Sequence, residues 1–482
     1  MHKIMLLYPS GEVYQRGEDR CQMNVSASVA NSLRACNDLG YISAILKKNG
    51  NYKIFLKDYS GEHLSFSDFA SDLQSENPDV IIISTTTGSI YNDIDFINEI
   101  KKINDKAIII LKGAIFFNPT EDLLKEINLE NVDYLVGGEI EFIIENLLNA
   151  HFSEQQQLTN IQGISYKKNS TWQINPLINF EQDLDSLPFP DRDAMNNNIY
   201  INPLTNKPMA TIATSRGCSA KCIYCLSPII SGVNVRFRSP QSVVDEMLEC
   251  LEKHSISNFF FKSDTFTINK NWVINLCDLI SKSPLSGRIN WVANARTNTI
   301  DDEILSKMKQ AGCSLIAFGI ESGSEESLSK MKKGTTVEIN LKAVKLAKKH
   351  GIKTFGFYLT GFPWETKKHL KDTEKFIFEA DTDFIEIHRL VPYRGSELFS
   401  MLEKQGKTFN IFGEDTCKHN TNGTDYLSDK ELEAFKRSVT LKYYLRPKYI
   451  AKKLFSAEIT PSLLLNYIKY GIKMIKNLLF MH

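Results

Sequence analysis

The sequence has no excess of either charge and no long apolar run, and both absences narrow the classes of protein it can belong to. Its 482 residues include 57 Lys or Arg and 57 Asp or Glu. This balance gives no sign of a nucleic-acid partner, which would need a basic surface. No stretch of about 18 apolar residues occurs, so we predict no transmembrane helix.

The cysteines also lack the pattern of a disulfide framework. Six of the nine are scattered singly along the chain: Cys21, Cys36, Cys250, Cys277, Cys313 and Cys417. Disulfides are rare in reducing compartments, and the first residues, Met1-His2-Lys3, lead directly into a strand-like run. We therefore expect a cytoplasmic protein.

The other three cysteines lie close together, and this segment carries the most informative chemistry of the chain. Cys218, Cys222 and Cys225 follow a Thr-Ser-Arg-Gly turn in the order Cys-x3-Cys-x2-Cys. Thiolates suit iron–sulfur clusters, and a four-iron cluster usually takes four cysteines. No fourth cysteine follows closely, because Cys250 falls within a helical pattern. Three ligands would leave one iron open, which is typical of a reaction site.

Two other interpretations of the three cysteines remain. A structural zinc ion normally takes four protein ligands, often as paired Cys-x2-Cys units. Three ordinary buried cysteines are the second alternative, although this spacing after a turn rarely arises by chance.

Residues 1–150 alternate short apolar strands with helical patterns, which predicts a parallel, doubly wound sheet. Ligands of such sheets bind at the carboxyl ends of the strands. The loops expected there are polar or rich in glycine: Ser84 to Ser89, Lys112-Gly113-Ala114 and Gly137-Gly138-Glu139. No Gly-x-Gly-x-x-Gly follows the first strand, so an ordinary dinucleotide-binding domain is disfavoured. The polar loop from Gly11 to Asn24, which contains Arg16, is expected over the same edge.

The rest of the chain divides into three parts. Residues 151–200 read as a linker with a small hairpin and a proline-rich stretch that excludes a helix. Residues 201–400 resume the alternation with six strand–helix units, which predicts a partial (β/α)6 TIM-like barrel. Residues 401–482 read as helical, and from Lys436 onward ten basic residues stand against one acidic residue. The predicted fold class is therefore α/β, with a Rossmann-like domain, a partial barrel and a helical C-terminal region.

Polar residues follow the predicted barrel strands, where barrel enzymes place their sites. Glu321 precedes Ser322-Gly323, and a carboxylate there can accept hydrogen bonds from ribose hydroxyls. Arg296 could pair with a carboxylate ligand, and Asp264 is a similar candidate; either could instead form a salt bridge within the barrel. His388 ends the sixth strand, deep enough to meet a substrate, although a lone histidine is more often structural.

The cysteine segment, with Tyr224 just before the last cysteine, resembles the cluster loop of the radical S-adenosylmethionine (radical SAM) superfamily. The resemblance implies that Cys218, Cys222 and Cys225 hold a [4Fe–4S] cluster and that SAM chelates the fourth iron. One electron would then split SAM into methionine and a 5′-deoxyadenosyl radical. It also implies a SAM site with Tyr224 near the adenine, Glu321 and Ser322 in a Gly-x-Glu-Ser-Gly motif, and the turn at Gly361. Asp264 and Arg296 complete the expected site.

The first domain resembles the cobalamin-binding domain that precedes many radical SAM barrels. The resemblance rests on Pro78-Asp79-Val80 leading to Ser84-Thr85, on the Gly113 loop, and on Val132-Asp133-Tyr134 leading to Gly138-Glu139. It implies that Ser84, Thr85, Gly113, Gly138 and Glu139 bind cobalamin. Lys112-Gly113-Ala114-Ile115 replaces the frequent Gly-Gly-x-His, and the Asp-x-His-x-x-Gly motif is absent. Cobalamin without a histidine ligand is therefore implied; a domain used only for packing is the alternative.

Together these likenesses imply a cobalamin-dependent radical SAM enzyme, with methyl transfer to an unactivated carbon as the expected reaction. A non-methylating radical enzyme, a radical SAM enzyme with an empty first domain and a non-catalytic electron-transfer protein remain alternatives. The expected partners are a flavodoxin- or ferredoxin-type electron donor and a small-molecule or lipid-like substrate. The amphipathic pattern from Pro461 to Leu479 is either a peripheral membrane contact or a terminal helix docked on the barrel.

Overall fold

The computed structural model describes most of the chain, and its strands form two large sheets. The described residues are 1–16, 24–25, 33–153, 157–407, 412–413, 424–455, 463–469 and 471–472. Their strands are β1 (His2–Tyr8), β2 (Tyr52–Asp58), β3 (Val80–Ser84), β4 (Ile108–Lys112), β5 (Tyr134–Val136), β6 (Ile164–Lys168), β7 (Thr171–Asn175), β8 (Ile201–Asn202), β9 (Lys207–Ala213), β10 (Ser215–Arg216), β11 (Arg236–Phe237), β12 (Asn258–Lys262), β13 (Asn290–Ala295), β14 (Cys313–Glu321), β15 (Lys353–Thr360) and β16 (Phe384–Arg389).

The helices pack on the faces of these sheets. They are α1 (Asn37–Asn49), α2 (Phe66–Glu76), α3 (Ile90–Ile103), α4 (Glu121–Glu126), α5 (Ile144–Phe152), α6 (Ser227–Ile230), α7 (Pro240–His254), α8 (Lys270–Lys282), α9 (Asp302–Gln310), α10 (Glu325–Lys330), α11 (Val337–Lys349), α12 (Lys367–Ala380), α13 (Glu397–Lys404), α14 (Asp429–Tyr444) and α15 (Pro447–Leu454). Several begin at a residue that local chemistry favours. The Ser239 side chain caps α7 and is followed by proline in the first turn, as the sequence predicts.

The first sheet has the strand order β2-β1-β3-β4-β5-β6-β7, and its first five strands are parallel. Its strands are buried on both faces: Met5 and Leu7 join one core, and Ile4 and Leu6 join the other. This explains why the strands read as continuous apolar runs. The hairpin predicted in the linker is present as β6 and β7, and it extends the sheet by antiparallel pairing with β5. Strand β1 has β2 on one side and β3 on the other, so the strand order switches direction between β1 and β3. Sheets of this kind bind ligands at such a topological switch point.

The second sheet is an open half barrel with the order β16-β15-β14-β13-β12-β9-β8. Six of its strands, β9 and β12 to β16, are parallel, which confirms the predicted partial barrel. Alternate side chains of each strand face opposite ways. Ile316 and Phe318 pack under the outer helices, whereas Leu315 and Ala317 belong to a separate inner cluster. The sequence did not reveal β8, a two-residue strand that pairs antiparallel with β9.

The C-terminal helices pack against β16 at the open side of the half barrel. The sequence pattern predicts a helix from Asp429 to Tyr444; α14 has these bounds and begins with a capping box between Ser428 and Glu431. The Tyr444 hydroxyl accepts from the backbone N–H of Ile385 and donates to its carbonyl, which fixes this helix to β16. Residues 463–469 and 471–472 are helical, and the remainder of the predicted Pro461–Leu479 helix lies outside the described residues. Among the helices described, none combines the length and the apolar character that crossing a bilayer requires.

Candidate functional site

The three clustered cysteines lie on a loop that follows β9 at the carboxyl end of the half barrel. Antiparallel pairing of β10 with β11 closes the base of this loop. Gly217 begins it with a φ of 97°, and a Cβ there would lie 2.2 Å from the carbonyl oxygen of Asn234. Only glycine meets both conditions. The loop is also held from below, because the Ile223 N–H donates to Met331 and the Ile223 carbonyl accepts from Leu398.

Two of the three thiols lie within hydrogen-bond distance of a neighbouring donor. Cys218 and Cys222 are buried, and Cys225 is partly exposed. The guanidinium of Arg296 lies 3.5 Å from the sulfur of Cys222, and the Ser227 N–H lies 3.4 Å from that of Cys225. Among the residues described, no three His, Cys, Asp or Glu side chains have the arrangement of a single-ion site. A four-iron cluster needs more widely spaced sulfurs than one zinc ion does, because each sulfur binds a different corner of the cube.

A cavity of about 330 Å³ opens beside the three cysteines, at the carboxyl ends of the barrel strands. Four of the residues predicted for SAM lie in its lining: Tyr224, Asp264, Arg296 and Glu321. His388 at the end of β16 also lines it, and its Nε2 is 3.7 Å from a carboxylate oxygen of Glu386. The fold therefore brings together residues that are up to 170 positions apart in sequence, on the edge that strand-end reasoning indicated.

Glu321 occupies an irregular position that a side chain rarely adopts without cause. Its φ is 67°, and the register of β14 against β15 shifts between Gly319 and Glu321. Its Oε1 accepts from the ammonium of Lys333 at 2.6 Å, and both side chains are nearly buried. A Cβ at Gly319 would lie 2.6 Å from that carboxylate oxygen, so glycine leaves room for the ion pair. Backbone strain of this kind concentrates at functional sites.

Lys333 is a site residue that the sequence analysis missed. It follows α10 in a loop, and it is 6% exposed, which is rare for a lysine. Its ammonium also lies 3.4 Å from the Tyr224 hydroxyl, so it links the cluster loop to β14. Burial, together with the negative charge of Glu321, raises the pKa of Tyr224 well above its ordinary value. The sequence gives no signal for Lys333, because it stands next to Lys332 in a surface-like run.

Arg296 and Asp264 hold the cluster loop as well as lining the cavity. Arg296 donates to the carbonyl of Lys333 in addition to its contact with Cys222. Asp264 accepts from the N–H of Gly217 at 2.9 Å. Asp264, which follows β12, is therefore connected to the start of the cysteine segment. Arg296, which follows β13, is connected to its middle. The salt-bridge alternative and the ligand-binding role for these residues are not mutually exclusive.

Ser322 and Gly361 do not line the cavity, and each has a structural partner. The Ser322 hydroxyl is buried, accepts from the Ser324 N–H at 3.1 Å and lies 3.1 Å from the Thr373 hydroxyl. The Gly361 N–H donates to a carboxylate oxygen of Glu365 at 2.6 Å. A SAM contact by either residue remains a prediction. Glu365 is fully buried, and burial raises its pKa to about 7.

Ser84 and Thr85, at the end of β3, take part in a buried charged network. The Ser84 hydroxyl donates to Asp38 at 2.6 Å, and Asp38 also accepts from the ammonium of Lys112 at 2.7 Å. Burial would raise the pKa of Asp38, but the Lys112 charge and the hydrogen bonds outweigh it and lower the pKa. The Thr85 hydroxyl donates to Asp93 at 2.6 Å. Each hydroxyl oxygen retains acceptor capacity toward an amide ligand.

The loop after β1 contributes Arg16 to this network. Its guanidinium binds both carboxylate oxygens of Asp93, at 2.8 and 2.9 Å, and donates to the Ser84 carbonyl. The side chains of both ion-pair partners are fully buried. The expectation that this polar loop covers the ligand edge holds for Arg16. Glu18, Asp19 and Arg20 lie outside the described residues.

Gly113, Gly138 and Glu139 line a narrow cleft between the first domain and the cluster loop. Ser215, Arg216 and Ile230 form the opposite wall. Glu139 accepts from both terminal nitrogens of Arg236, at 2.9 and 2.7 Å, and lies 3.3 Å from Arg216. Burial would raise the pKa of Glu139, but the two guanidinium groups lower it.

Comparison with known proteins agrees with this architecture. Residues 212–377 match the model of the radical SAM superfamily. The chain is 30% identical over 420 residues to an uncharacterized methyltransferase of Pyrococcus horikoshii, covering 86% of this chain and 89% of the relative. The chain belongs to the radical SAM superfamily. The [4Fe–4S] cluster and SAM are the cofactors that define radical SAM enzymes, and the matched residues include Cys218, Cys222 and Cys225.

Two further likenesses extend beyond the matched residues 212–377. The structure of the radical SAM methyltransferase TsrM of Kitasatospora setae, with cobalamin and a [4Fe–4S] cluster bound, superposes with a TM-score of 0.70 at 16% identity, over 99% of each chain. This radical SAM protein therefore has the two-domain fold of a cobalamin-containing member. An anaerobic magnesium-protoporphyrin IX monomethyl ester cyclase of Cereibacter sphaeroides is 25% identical, covering 77% of this chain and 61% of the relative.

The donor set of this radical SAM protein fits a [4Fe–4S] cluster with SAM. The three thiols line the cavity together with the carboxylate of Glu321, the ammonium of Lys333 and the guanidinium of Arg296. Such groups match the hydroxyls of a ribose and the carboxylate of an amino acid.

The residues of the interdomain cleft offer suitable partners for cobalamin, but the volume of the cleft is too small for it. Its glycine-rich edge and carboxylate–guanidinium pairs offer partners for the amide groups around a corrin ring. Its volume is about 80 Å³, far smaller than a corrin, so the facing loops must separate to admit one. No histidine stands among the described residues that line this cleft. Cobalamin without a histidine ligand stays a prediction.

Proposed function

We propose that this protein is a cobalamin-dependent radical SAM enzyme that methylates an unactivated carbon. One observation carries the proposal: the cluster loop stands between two binding surfaces. On one side it faces the cavity with Glu321 and Lys333, and on the other it faces the glycine-rich edge of the first domain. A substrate in the barrel mouth would therefore lie near both cofactors.

The residues of the chain would bind the cofactors, orient them and shield the reactive site from water. Cys218, Cys222 and Cys225 would hold the cluster, and Arg296 would fix the position of the Cys222 sulfur through its 3.5 Å contact. The Glu321 carboxylate, fixed by Lys333, would accept hydrogen bonds from the ribose of SAM. When bound, the cluster supplies the electron that splits SAM, and methylcobalamin supplies the methyl group. The half barrel and the first domain would exclude water from the reactive site.

A second candidate reaction is a radical cyclisation or rearrangement without methyl transfer. One relative is named as a cyclase, and it matches most of this chain. The relative that establishes the family is named as a methyltransferase and shares more sequence over a longer alignment. We therefore favour methylation, and the mass of the product distinguishes the two reactions.

The test is an anaerobic assay of reconstituted protein with cobalamin, a strong reductant, SAM that carries a deuterated methyl group and a panel of small-molecule and lipid-like candidate substrates. We expect release of 5′-deoxyadenosine and a product that has gained one deuterated methyl group. Product of unchanged carbon count, formed together with 5′-deoxyadenosine, would establish the second candidate instead. No 5′-deoxyadenosine under any reductant would favour an electron-transfer protein.

The absorption spectrum of bound cobalamin tests the first domain separately. Retention of the corrinoid after gel filtration, at one equivalent per chain, supports the proposal. Loss of all corrinoid while 5′-deoxyadenosine is still released would leave a plain radical SAM enzyme. The flavodoxin- or ferredoxin-type donor and the cytoplasmic location stay predictions.

A further inference from the structure

The half barrel contains a second cavity, of about 350 Å³, at the end opposite the three cysteines. We call it the lower cavity. Its inner wall consists of side chains from the first three residues of six parallel strands. They are Met209, Phe260, Val292, Leu315, Phe355 and Phe384. Because the cysteines lie beyond the carboxyl ends of the same strands, the two cavities occupy opposite ends of the barrel interior.

The two cavities adjoin each other inside the barrel. Asn294, Ala317 and Phe357 line both. Barrel interiors are normally filled by layers of large side chains. Here Ala317 and Gly319 follow Leu315 on the inward face of β14, and neither supplies the bulk that would fill the middle layer. The interior therefore remains open from the amino ends of the strands toward the cysteines.

The lining of the lower cavity is chemically selective. Apolar and aromatic side chains dominate it, and the amides of Asn202 and Asn294 are among its few polar groups. A sugar or a peptide would leave most of its polar groups without partners there, which is costly. Its volume lies within the range of about 300–1,000 Å³ that accommodates drug-sized ligands. An apolar chain or ring system fits this lining.

Two cations stand at the end of the cavity remote from the cluster. The guanidinium of Arg34 lies 3.5 Å from the ring centre of Phe260, and the ammonium of Lys453 lies 4.4 Å from that of Phe384. The carboxylate of Asp383 is 3.7 Å from Lys453, at the outer limit of an ion pair. Burial lowers the pKa of Lys453 to about 8. An anionic group near Lys453 would restore the full charge that burial disfavours.

The outer rim of the cavity is formed by the C-terminal helices. Half-exposed side chains contribute to the lining: Leu445 just after α14, Ile450 and Leu454 from α15, and Ile468. An apolar molecule would thus meet an apolar surface before it enters, and the two cations flank the same end.

We propose that the lower cavity binds the apolar chain of an amphiphilic, anionic substrate. Its anionic head lies near Arg34 and Lys453, and its chain runs through the barrel interior toward Ala317 and the cluster. The carbon that reacts is thus remote from the head. This inference rests on the proposed function for the identity of the occupant as substrate, whereas binding itself is measurable without turnover.

The experiment is calorimetric titration of reconstituted full-length protein with three probes that share a ten-carbon chain. Decanoate and decyl phosphate carry anionic heads, and decyltrimethylammonium carries a cationic one. We expect both anions to bind at one site, at least about ten-fold more tightly than the cation, since a lost charge pair at a partly buried site is worth about 1.4 kcal/mol or more. Equal binding of all three probes would overturn the role of Arg34 and Lys453.

Variants locate the site. Leu315→Trp fills the lower cavity and should abolish binding of decanoate, and Val292→Phe provides a smaller filling change. Ile178→Trp adds the same aromatic bulk at a position that is 72% exposed and should bind like the unmodified protein. Undiminished binding by a folded Val292→Phe variant, or by Leu315→Trp with an intact circular dichroism spectrum, would place the ligand elsewhere and overturn the proposal.

A second set of variants, with a matched control, tests the contact between the anionic head and the two cations. Lys453→Gln and Arg34→Gln should each weaken decanoate about ten-fold. Lys448→Gln removes the same charge from the same helix as Lys453, outside the cavity lining, and should have no effect. Failure of every probe to bind, in protein that still releases 5′-deoxyadenosine and transfers methyl groups, would overturn this inference and leave the proposed function standing. Binding without cleavage of SAM would do the reverse.

Discussion

The carboxylate of Glu321 and the ammonium of Lys333 form a buried ion pair, 2.6 Å apart, directly beside the cluster loop. The Lys333 ammonium donates a hydrogen bond to one oxygen of the carboxylate and thereby fixes the orientation of the Glu321 side chain. The positive φ of Glu321 and the glycine at 319 keep the pair in place before any ligand arrives. A carboxylate oriented in advance loses little freedom when it accepts hydrogen bonds, which strengthens binding.

Replacing Glu321 with Gln should weaken SAM binding about ten-fold, because hydrogen bonds to a charged acceptor are worth about 1.5–3 kcal/mol and a neutral amide replaces it. Equilibrium binding of SAM to the reconstituted protein measures the change. Iron content should stay normal, since Glu321 lies outside the cysteine loop. Glu326→Gln on the exposed side of α10 is the control. Unaltered SAM affinity in Glu321→Gln would remove this residue from the proposed site.

Replacing Cys222 with Ala should abolish both cluster loading and release of 5′-deoxyadenosine. Cys222 is the central thiol of the three and the one that Arg296 contacts. Iron and sulfide analysis with the absorption spectrum measures the loss. Cys277→Ala, which removes a buried thiol from α8, should keep its iron. Normal iron content in Cys222→Ala would refute the ligand assignment.

Glu365 should make the stability of the fold depend on pH. Burial raises its pKa to about 7 in the folded state, whereas the unfolded value is about 4.5. The contribution to stability is therefore fully present below about pH 4.5 and is lost as the pH rises through 7, by roughly 3 kcal/mol. Glu365→Gln keeps an acceptor for the Gly361 N–H but cannot titrate.

Urea unfolding at pH 5 and at pH 8 measures this effect as a difference between the unmodified protein and Glu365→Gln. The variant should gain stability relative to the unmodified protein at the higher pH. The same comparison with the exposed Glu338→Gln should show no such trend. A difference independent of pH would show that Glu365 keeps its charge throughout.

Breaking the domain interface should destabilise the protein. Arg236→Ala leaves the nearly buried carboxylate of Glu139 with Arg216 as its remaining guanidinium partner, and such losses cost about 2–4 kcal/mol. Arg394→Ala breaks a more exposed pair with Glu126 across the same two domains and should cost less than about 1 kcal/mol. The urea midpoints of the two variants at pH 7 measure the contrast. Equal effects would mean that burial contributes nothing to the strength of this interface.

The strands illustrate how far sequence patterns reach. The apolar runs Val80–Ser84 and Tyr134–Val136 predict strands with the bounds that the structure has. The run from Leu315 to Phe318 predicts a strand that ends three residues before β14 does, because β14 continues through the bulge to Glu321. An apolar run predicts a strand but not the irregularity at its end. The helical pattern from Asn31 to Lys48 predicts a helix that starts at Asn31, but α1 begins at Asn37, because periodicity is a weak guide to helix boundaries.

The candidate site likewise combines features that the sequence predicts with features that it does not. The sequence alone determined the cysteine spacing and the alternation of strands and helices, because both are patterns of near neighbours along the chain. Only the tertiary structure decided that Lys333 reaches Glu321, that Arg216 and Arg236 meet Glu139, and that the barrel interior stays open between two cavities. Those relationships depend on how distant segments pack, and a surface-like lysine or a small alanine carries no local mark of the neighbours that folding gives it.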